Sequence, residues 1–122
     1  MYLQSYKELI VWKKSISLVK EVYLLTGKFP KSELFISVSQ MRRCAISIPS
    51  NIAEGYKRKN TTEFLQFLRI TDGSAAELET QIIIAKELFK NLDYSKVDNL
   101  LEEIQKMLSV LIKKLESKIN KR

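Results

Sequence analysis

Phe64, Leu68, Thr71, Ala75, Leu78, Ile82, Ala85 and Phe89 follow one another at alternating steps of four and three. Only an α-helix carries positions so spaced on one face. A stripe that regular requires a long helix lying nearly parallel or antiparallel to its partners. Three other segments keep the same rhythm: Leu34, Val38, Met41, Ala45, Ile48 and Ile52; Val97, Leu101, Ile104, Leu108, Leu111 and Leu115; and Leu9, Trp12, Ile16, Val19 and Tyr23. Val11, Leu18, Val22 and Leu25 widen the face of the last set beyond what one partner helix covers. Gly27 and Pro30 are natural stops for the first helix. Ser32 is placed to cap the second helix, and Asn60 with Glu63 has the spacing of a capping box for the third. Asn91 and Asp93 mark the last break. The pattern predicts helices over residues 7–26, 33–56, 61–90 and 94–119, joined by short polar links. The fold class expected is therefore all-α, an antiparallel up-down-up-down four-helix bundle.

Three features depart from the plain pattern. Pro49 lies inside helix two, where it removes a ladder bond and crowds the preceding turn, so a kink is expected near Ile46–Pro49. Asp72-Gly73-Ser74-Ala75-Ala76 is a run of small residues in helix three. A mid-helix glycine costs about 1 kcal/mol against alanine, and close helix contact at Gly73 is the expected compensation. The broad face of helix one, together with Phe35, Ile36, Ile83 and Ile84, exceeds what one small bundle hides and points to a subunit interface.

At 122 residues, with 45% hydrophobic and 29% charged side chains, the chain reads as one folded domain. Three glycines and two prolines are too few for a turn-rich β protein. There is no histidine, which removes the commonest general base and transition-metal ligand. Cys44 therefore has no histidine to activate it and reads as a small core residue. The glycines are too scattered for a phosphate-cradling loop. Glu77 and Glu79, with Glu102 and Glu103, are the carboxylates to test for a di-metal site, but the ligand set lacks histidine. No catalytic residue, metal or cofactor is expected, and the chain is read as not an enzyme. One cysteine, no signal-peptide pattern and no long apolar run suit a cytoplasmic protein without a membrane span.

A net charge of +7 favours an anionic partner. Lys57, Arg58 and Lys59 leave helix two with no acid until Glu63. Lys113, Lys114, Lys118, Lys121 and Arg122 form a second cluster at the end of the sequence. Both are candidates for holding RNA or DNA phosphates; the alternatives are a solvated loop and a frayed terminus. Arg42 and Arg43 flank the apolar stripe of helix two. A structural ion pair with Glu77 or Glu79 on helix three is their simpler use, with phosphate contact as the other reading. Tyr56 is the only aromatic beside the basic cluster, and packing competes with base stacking there. Trp12 belongs to a core or interface stripe. Binding is thus expected to follow shape and charge, with little sequence preference. An acidic protein partner, or a ring with a purely structural role, is the competing reading.

Several motifs together resemble a known family. Trp12 is followed by Tyr23-x-x-Thr26-x-x-Phe29-Pro30-x-x-Glu33, then Gln40-x-Arg42-Arg43 and Ser47-Ile48-x-x-Asn51-Ile52-Ala53-Glu54-Gly55. Phe64-x-x-Phe67-Leu68, Gly73-Ser74 and Glu77-Leu78-Glu79-Thr80 complete the set. These residues span nearly the whole chain and resemble the bacterial four-helix-bundle family first described from open reading frames in 23S rRNA intervening sequences. Cys44 stands where an alanine is more usual. The resemblance implies a ring-like homopentamer and a connection with ribosomal RNA. It extends to the accessory variability determinant protein of diversity-generating retroelements, which implies nucleic-acid binding and a protein partner such as a reverse transcriptase or a ribosomal factor.

Overall fold

The computed structural model describes residues 5–121. Among them the regular structure is all helical: α1 (Ile10–Thr26), α2 (Ser39–Lys57), α3 (Thr61–Leu88) and α4 (Ser95–Asn120). A single 3-10 turn, Tyr6–Glu8, precedes α1, and another, Lys31–Glu33, leads into a π-helical turn, Leu34–Val38, that runs directly into α2. Each helix packs on two others, in the order α1, α2, α3, α4 and back to α1.

Neighbouring helices run antiparallel, as individual contacts show. Arg42, early in α2, meets Tyr23 and Thr26 at the end of α1. Gly55, late in α2, lies against Phe64 and Phe67 at the start of α3. Lys86 pairs with Asp98 at one end of α3–α4 and Arg69 with Glu116 at the other. Lys14 on α1 pairs with Glu103 on α4.

The core is built from the predicted stripes of α2, α3 and α4, with Met41, Ile48, Ile52, Leu68, Leu78, Ile82, Ile104 and Leu108 fully buried. Thr71, the one polar member of the α3 stripe, is buried because its hydroxyl donates to the Phe67 carbonyl at 2.8 Å. In α1 the second apolar set forms the buried face, while Leu9, Trp12 and Val19 of the expected stripe are partly buried against the core. Val11, Leu18, Val22 and Leu25 face the core, and Ser15 joins them by donating to the Trp12 carbonyl at 2.7 Å. Ile16 and Tyr23, expected in the stripe, remain 44% and 41% exposed. A small serine whose hydroxyl is satisfied within its own turn lets α1 sit close to its neighbours, and this selects the face.

Several local expectations are corrected. The first helix starts at Ile10 because Leu9 is extended (φ −68°, ψ 126°). Gly27 caps α1 at φ −62°, so its left-handed freedom is unused. Ser32 caps nothing; instead Ser37 donates to Glu33 Oε1 at 2.8 Å across the π turn. A Cβ added at Gly73 would meet nothing within 4 Å, so the close contact expected there is absent. That contact is found at Gly55, where an added Cβ would lie 2.5 Å from Phe67 Cβ. Pro49 is buried within α2, which spans Ser39–Lys57 on both sides of it, a continuity that a proline kink leaves intact. Asn60 does cap α3, its Oδ1 accepting from the Glu63 N–H at 3.0 Å.

Candidate nucleic-acid interface

The close approach at Gly55 brings the end of α2 onto the start of α3 and makes the link between them short. Arg58 and Lys59 N–H groups close the last turn on the Gly55 and Tyr56 carbonyls at 3.2 and 3.3 Å. Lys59 takes the left-handed conformation (φ 55°), the only positive φ among the described residues. A single residue in that conformation reverses the chain at a helix end, and Asn60 then starts α3. Lys57, Arg58 and Lys59 are consequently displayed around the outside of one tight turn, all exposed.

They are not equivalent. Arg58 donates to Glu54 Oε2 at 3.1 Å and lies over the Phe67 ring at 5.2 Å. An exposed pair of this kind is worth about 0.2–1 kcal/mol, and it offsets part of the local charge. Lys57 and Lys59 form no ion pair among the described residues.

The second cluster lies on α4. Lys113, Lys114, Lys118 and Lys121 are exposed and unpaired among the described residues, while Arg122 lies outside them. Glu116, the acid inside this run, is held by Arg69 of α3 at 2.7 Å. That same pair places the end of α4 beside the start of α3, which the Asn60 cap joins to the α2 turn. Both basic runs therefore stand at one end of the bundle, although some fifty positions apart in sequence. Exposed Lys7, in the turn before α1, belongs to this end through Tyr6, whose ring meets Tyr56 at 6.4 Å. Lys7 and Arg69 carried no signal in the sequence, because only the packing places them here.

Tyr56 is half-buried in an aromatic stack, edge-on to Phe64 at 6.0 Å and to Tyr6 at 6.4 Å, with Tyr6 in turn on Trp12 at 5.4 Å. It packs beside the basic turn, the use that the area of a tyrosine favours.

The ion pairs expected of Arg42 and Arg43 with Glu77 and Glu79 do not form. Arg42 lies on the flank of α2 that meets α1. There its Nε donates to Thr26 Oγ1 at 3.0 Å, its Nη2 to the Tyr23 carbonyl at 3.4 Å, and its guanidinium covers the Tyr23 ring at 4.4 Å. The arginine thus ties α2 to the last turn of α1, adding a donor to a Tyr23 carbonyl that already accepts from the Gly27 N–H at 3.0 Å, and pairs with no carboxylate. Arg43 is exposed and, among the described residues, bonds only to Ser39 Oγ at 3.3 Å. Glu79 accepts from Gln105 of α4 at 3.5 Å. Glu77 lies close enough to Cys44 to influence its thiol. Burial first, and then the Glu77 carboxylate, push the Cys44 thiol up to about 12. Its Sγ donates to the Ser74 carbonyl at 3.2 Å, so at neutral pH it is a protonated core group. Among the described residues, no three His, Cys, Asp or Glu side chains come together in a way that could hold a metal ion. No described helix is long and apolar enough to cross a membrane.

These observations define a class: an all-helical, four-helix protein with a basic end. Residues 7–110 match the model of the 23S rRNA-intervening sequence protein family, and the chain belongs to that family. The match takes in the α2–α3 turn and stops short of Lys113. No curated protein matches the chain.

Proposed function

We propose that the chain is a non-enzymatic, homo-oligomeric bundle, pentameric as the family resemblance implies, that binds the phosphate backbone of RNA or DNA in the cytoplasm. The observation that carries this reading is the convergence of two basic runs on one end of the bundle, with Lys57, Lys59, Lys113, Lys114, Lys118 and Lys121 left without carboxylate partners among the described residues. Unpaired lysines on a rigid end can neutralise phosphates without first breaking ion pairs. Assembly repeats that end once per subunit, so contacts that are weak singly add up on one strand. Membership of a family named for 23S rRNA intervening sequences makes structured ribosomal RNA the first ligand to try. In this mechanism the protein is an adaptor: the bundle sets the spacing of the lysines, and recognition follows charge and shape.

The test is a titration of fluorescent structured RNA and of duplex DNA at two salt concentrations. Each phosphate neutralised adds about 0.7 (single strand) or 0.9 (duplex) to the slope of log affinity against log salt. Lys57→Glu with Lys59→Glu should weaken binding and flatten that slope while the helical signal is retained. Absence of binding at low salt would sink the reading and direct attention to an acidic protein partner.

A further inference from the structure

Between the start of α3 and the end of α4 the bundle opens into a cavity of about 440 Å³, within the roughly 300–1,000 Å³ of sites that take small organic groups. Leu65, Gln66 and Arg69 line it from α3, and Glu116, Ile119 and Asn120 from α4. Leu65 is buried and Ile119 half-buried, which makes part of the lining apolar.

The rest of the lining is polar and only partly used. Arg69 donates to Glu116 Oε2 at 2.7 Å. That bond holds the guanidinium at the cavity and neutralises the one acid in its wall. Arg42 and Arg58 each cover an aromatic ring, but Arg69 covers none among the described residues, so its plane is open. The Gln66 and Asn120 amides are exposed and have no hydrogen-bond partner among the described residues. Apolar surface, a fixed planar cation and two free amides complement a flat heteroaromatic ring with polar edges. Unpaired nucleobases are held in this way, stacked on a guanidinium or aromatic plane and bonded along their edges.

The surroundings favour a strand over a free base. Lys59 immediately precedes the Asn60 cap of α3, Lys121 follows Asn120, and Lys113 stands one turn before Glu116 on the same side of α4. All three are exposed and without an ion pair among the described residues. The other acids nearby are Glu63, in the first turn of α3, and Asp72, one turn beyond Arg69. Asp72 lies toward the middle of the bundle, so the excess of positive charge is at its end.

We propose that this cavity holds the base of an unpaired nucleotide in a bound strand, with the lysines holding the phosphates on either side. This rests on the nucleic-acid reading above and names its ligand: single-stranded segments, in preference to duplex, whose bases are paired and stacked inside. An amide carries both donor and acceptor, so Gln66 and Asn120 can meet the edge of any base, and selection is for an unpaired strand more than for one sequence. The α4 wall of the cavity lies beyond residue 110, where the family match ends, so family membership does not imply it.

The experiment compares two fluorescent single strands of equal length: an ordinary oligodeoxynucleotide, and one built of abasic sites, which keeps every phosphate and removes every base. Wild type should bind the base-bearing strand about tenfold more tightly, the contribution of one stacked base. The salt slopes of the two should match, because the phosphates are equal in number. Gln66→Ala combined with Asn120→Ala should lower the affinity ratio severalfold and leave abasic-strand affinity unchanged. Arg69→Lys, which keeps the charge and loses the plane, should lower the ratio too. Helical circular dichroism checks the fold, and the double variant, at two exposed positions, carries the test if Arg69→Lys loses its helical signal. Equal affinity for the two strands, or an unchanged ratio in the folded double variant, overturns the base pocket and leaves the phosphate reading standing. A wild type that binds neither strand at low salt overturns both.

Discussion

Gly55 and Gly73 both lie inside helices, and the same substitution should act on them in opposite directions. At Gly55 an alanine methyl would sit 2.5 Å from Phe67 Cβ and 3.1 Å from Phe64 Cδ1 and Phe67 Cγ. Carbon atoms in contact rest about 3.5–4.0 Å apart, so α2 and α3 would have to part locally by about 1 Å. Phe67 Cβ is fixed to its backbone and cannot rotate aside. Overpacking of this kind costs about 1–3 kcal/mol, against about 1 kcal/mol gained when glycine is replaced in a helix. Gly55→Ala is therefore expected to lose up to about 2 kcal/mol. At Gly73 an added Cβ would meet no neighbouring helix or side chain within 4 Å, so only the helix-propensity gain remains, about 0.4–1 kcal/mol. Urea unfolding followed by helical circular dichroism, at one fixed protomer concentration because assembly adds to stability, should show the two midpoints moving apart around the wild type. An increase for Gly55→Ala as large as that for Gly73→Ala would refute the close approach on which the α2–α3 turn depends.

Three further outcomes follow from single side chains. Arg42→Lys keeps the charge but loses the planar stack on Tyr23 and the Nε–H donated to Thr26; a loss of about 1 kcal/mol in the same assay is expected, and an unchanged midpoint would discount the stack. The buried Cys44 thiol should resist disulfide-exchange labelling at neutral pH until denaturant is added. Because its native value is raised from 9.0 to about 12, its contribution to stability is full below about pH 9 and is lost as pH climbs through that interval, so Cys44→Ala should show a shallower alkaline decline than the wild type. Lys59→Gly removes one candidate phosphate contact while relieving a left-handed lysine (φ 55°); stability should rise by about 1 kcal/mol as nucleic-acid affinity falls, and a parallel loss of both would deny Lys59 a binding role.

The stripes of α2, α3 and α4 were legible in the sequence because each of those helices has one apolar face, and periodicity finds a single face without ambiguity. Helix α1 has two. Leu9-Trp12-Ile16-Val19-Tyr23 and Val11-Leu18-Val22-Leu25 have the same spacing, and hydrophobicity alone does not choose between them. The decisive residue is Ser15, whose small size and self-satisfied hydroxyl suit a crowded interior. Cap assignments succeeded where a side chain bonds within its own turn, as Asn60 does. They failed at Ser32, because the π turn of Leu34–Val38 supplies the entry to α2 by backbone geometry, and no residue type announces such a turn. The glycines exchanged parts for a related reason: which helical glycine faces a neighbour depends on register between helices, and one strand of sequence does not carry register.

The candidate site shows the same boundary between what a chain declares and what its packing decides. Both lysine clusters could be read directly, since in each the basic residues outnumber the acids near them in sequence, Glu54 beside the first and Glu116 inside the second. The partner of Arg42 is not legible in the sequence, because a helix has two flanks and the stripe tells only which residues border it; α1 occupies the arginine's flank and α3 the other. The meeting of the clusters, in contrast, follows from the topology once every link is a reversal. In an antiparallel bundle the second and fourth helices run the same way, so residues late in both must emerge at one end. That end also collects the carbonyl termini of α2 and α4, whose partial negative charge favours the lysines in their last turns, Lys57 and Lys118. Those two therefore have a structural reason to be basic as well as a binding one. Lys59 lies beyond the last turn in a conformation that disfavours any side chain, and Lys113 and Lys114 lie well before the end of α4. Helix termini do not explain the charge at these three positions, and they are where a phosphate-binding role has least competition from a structural one.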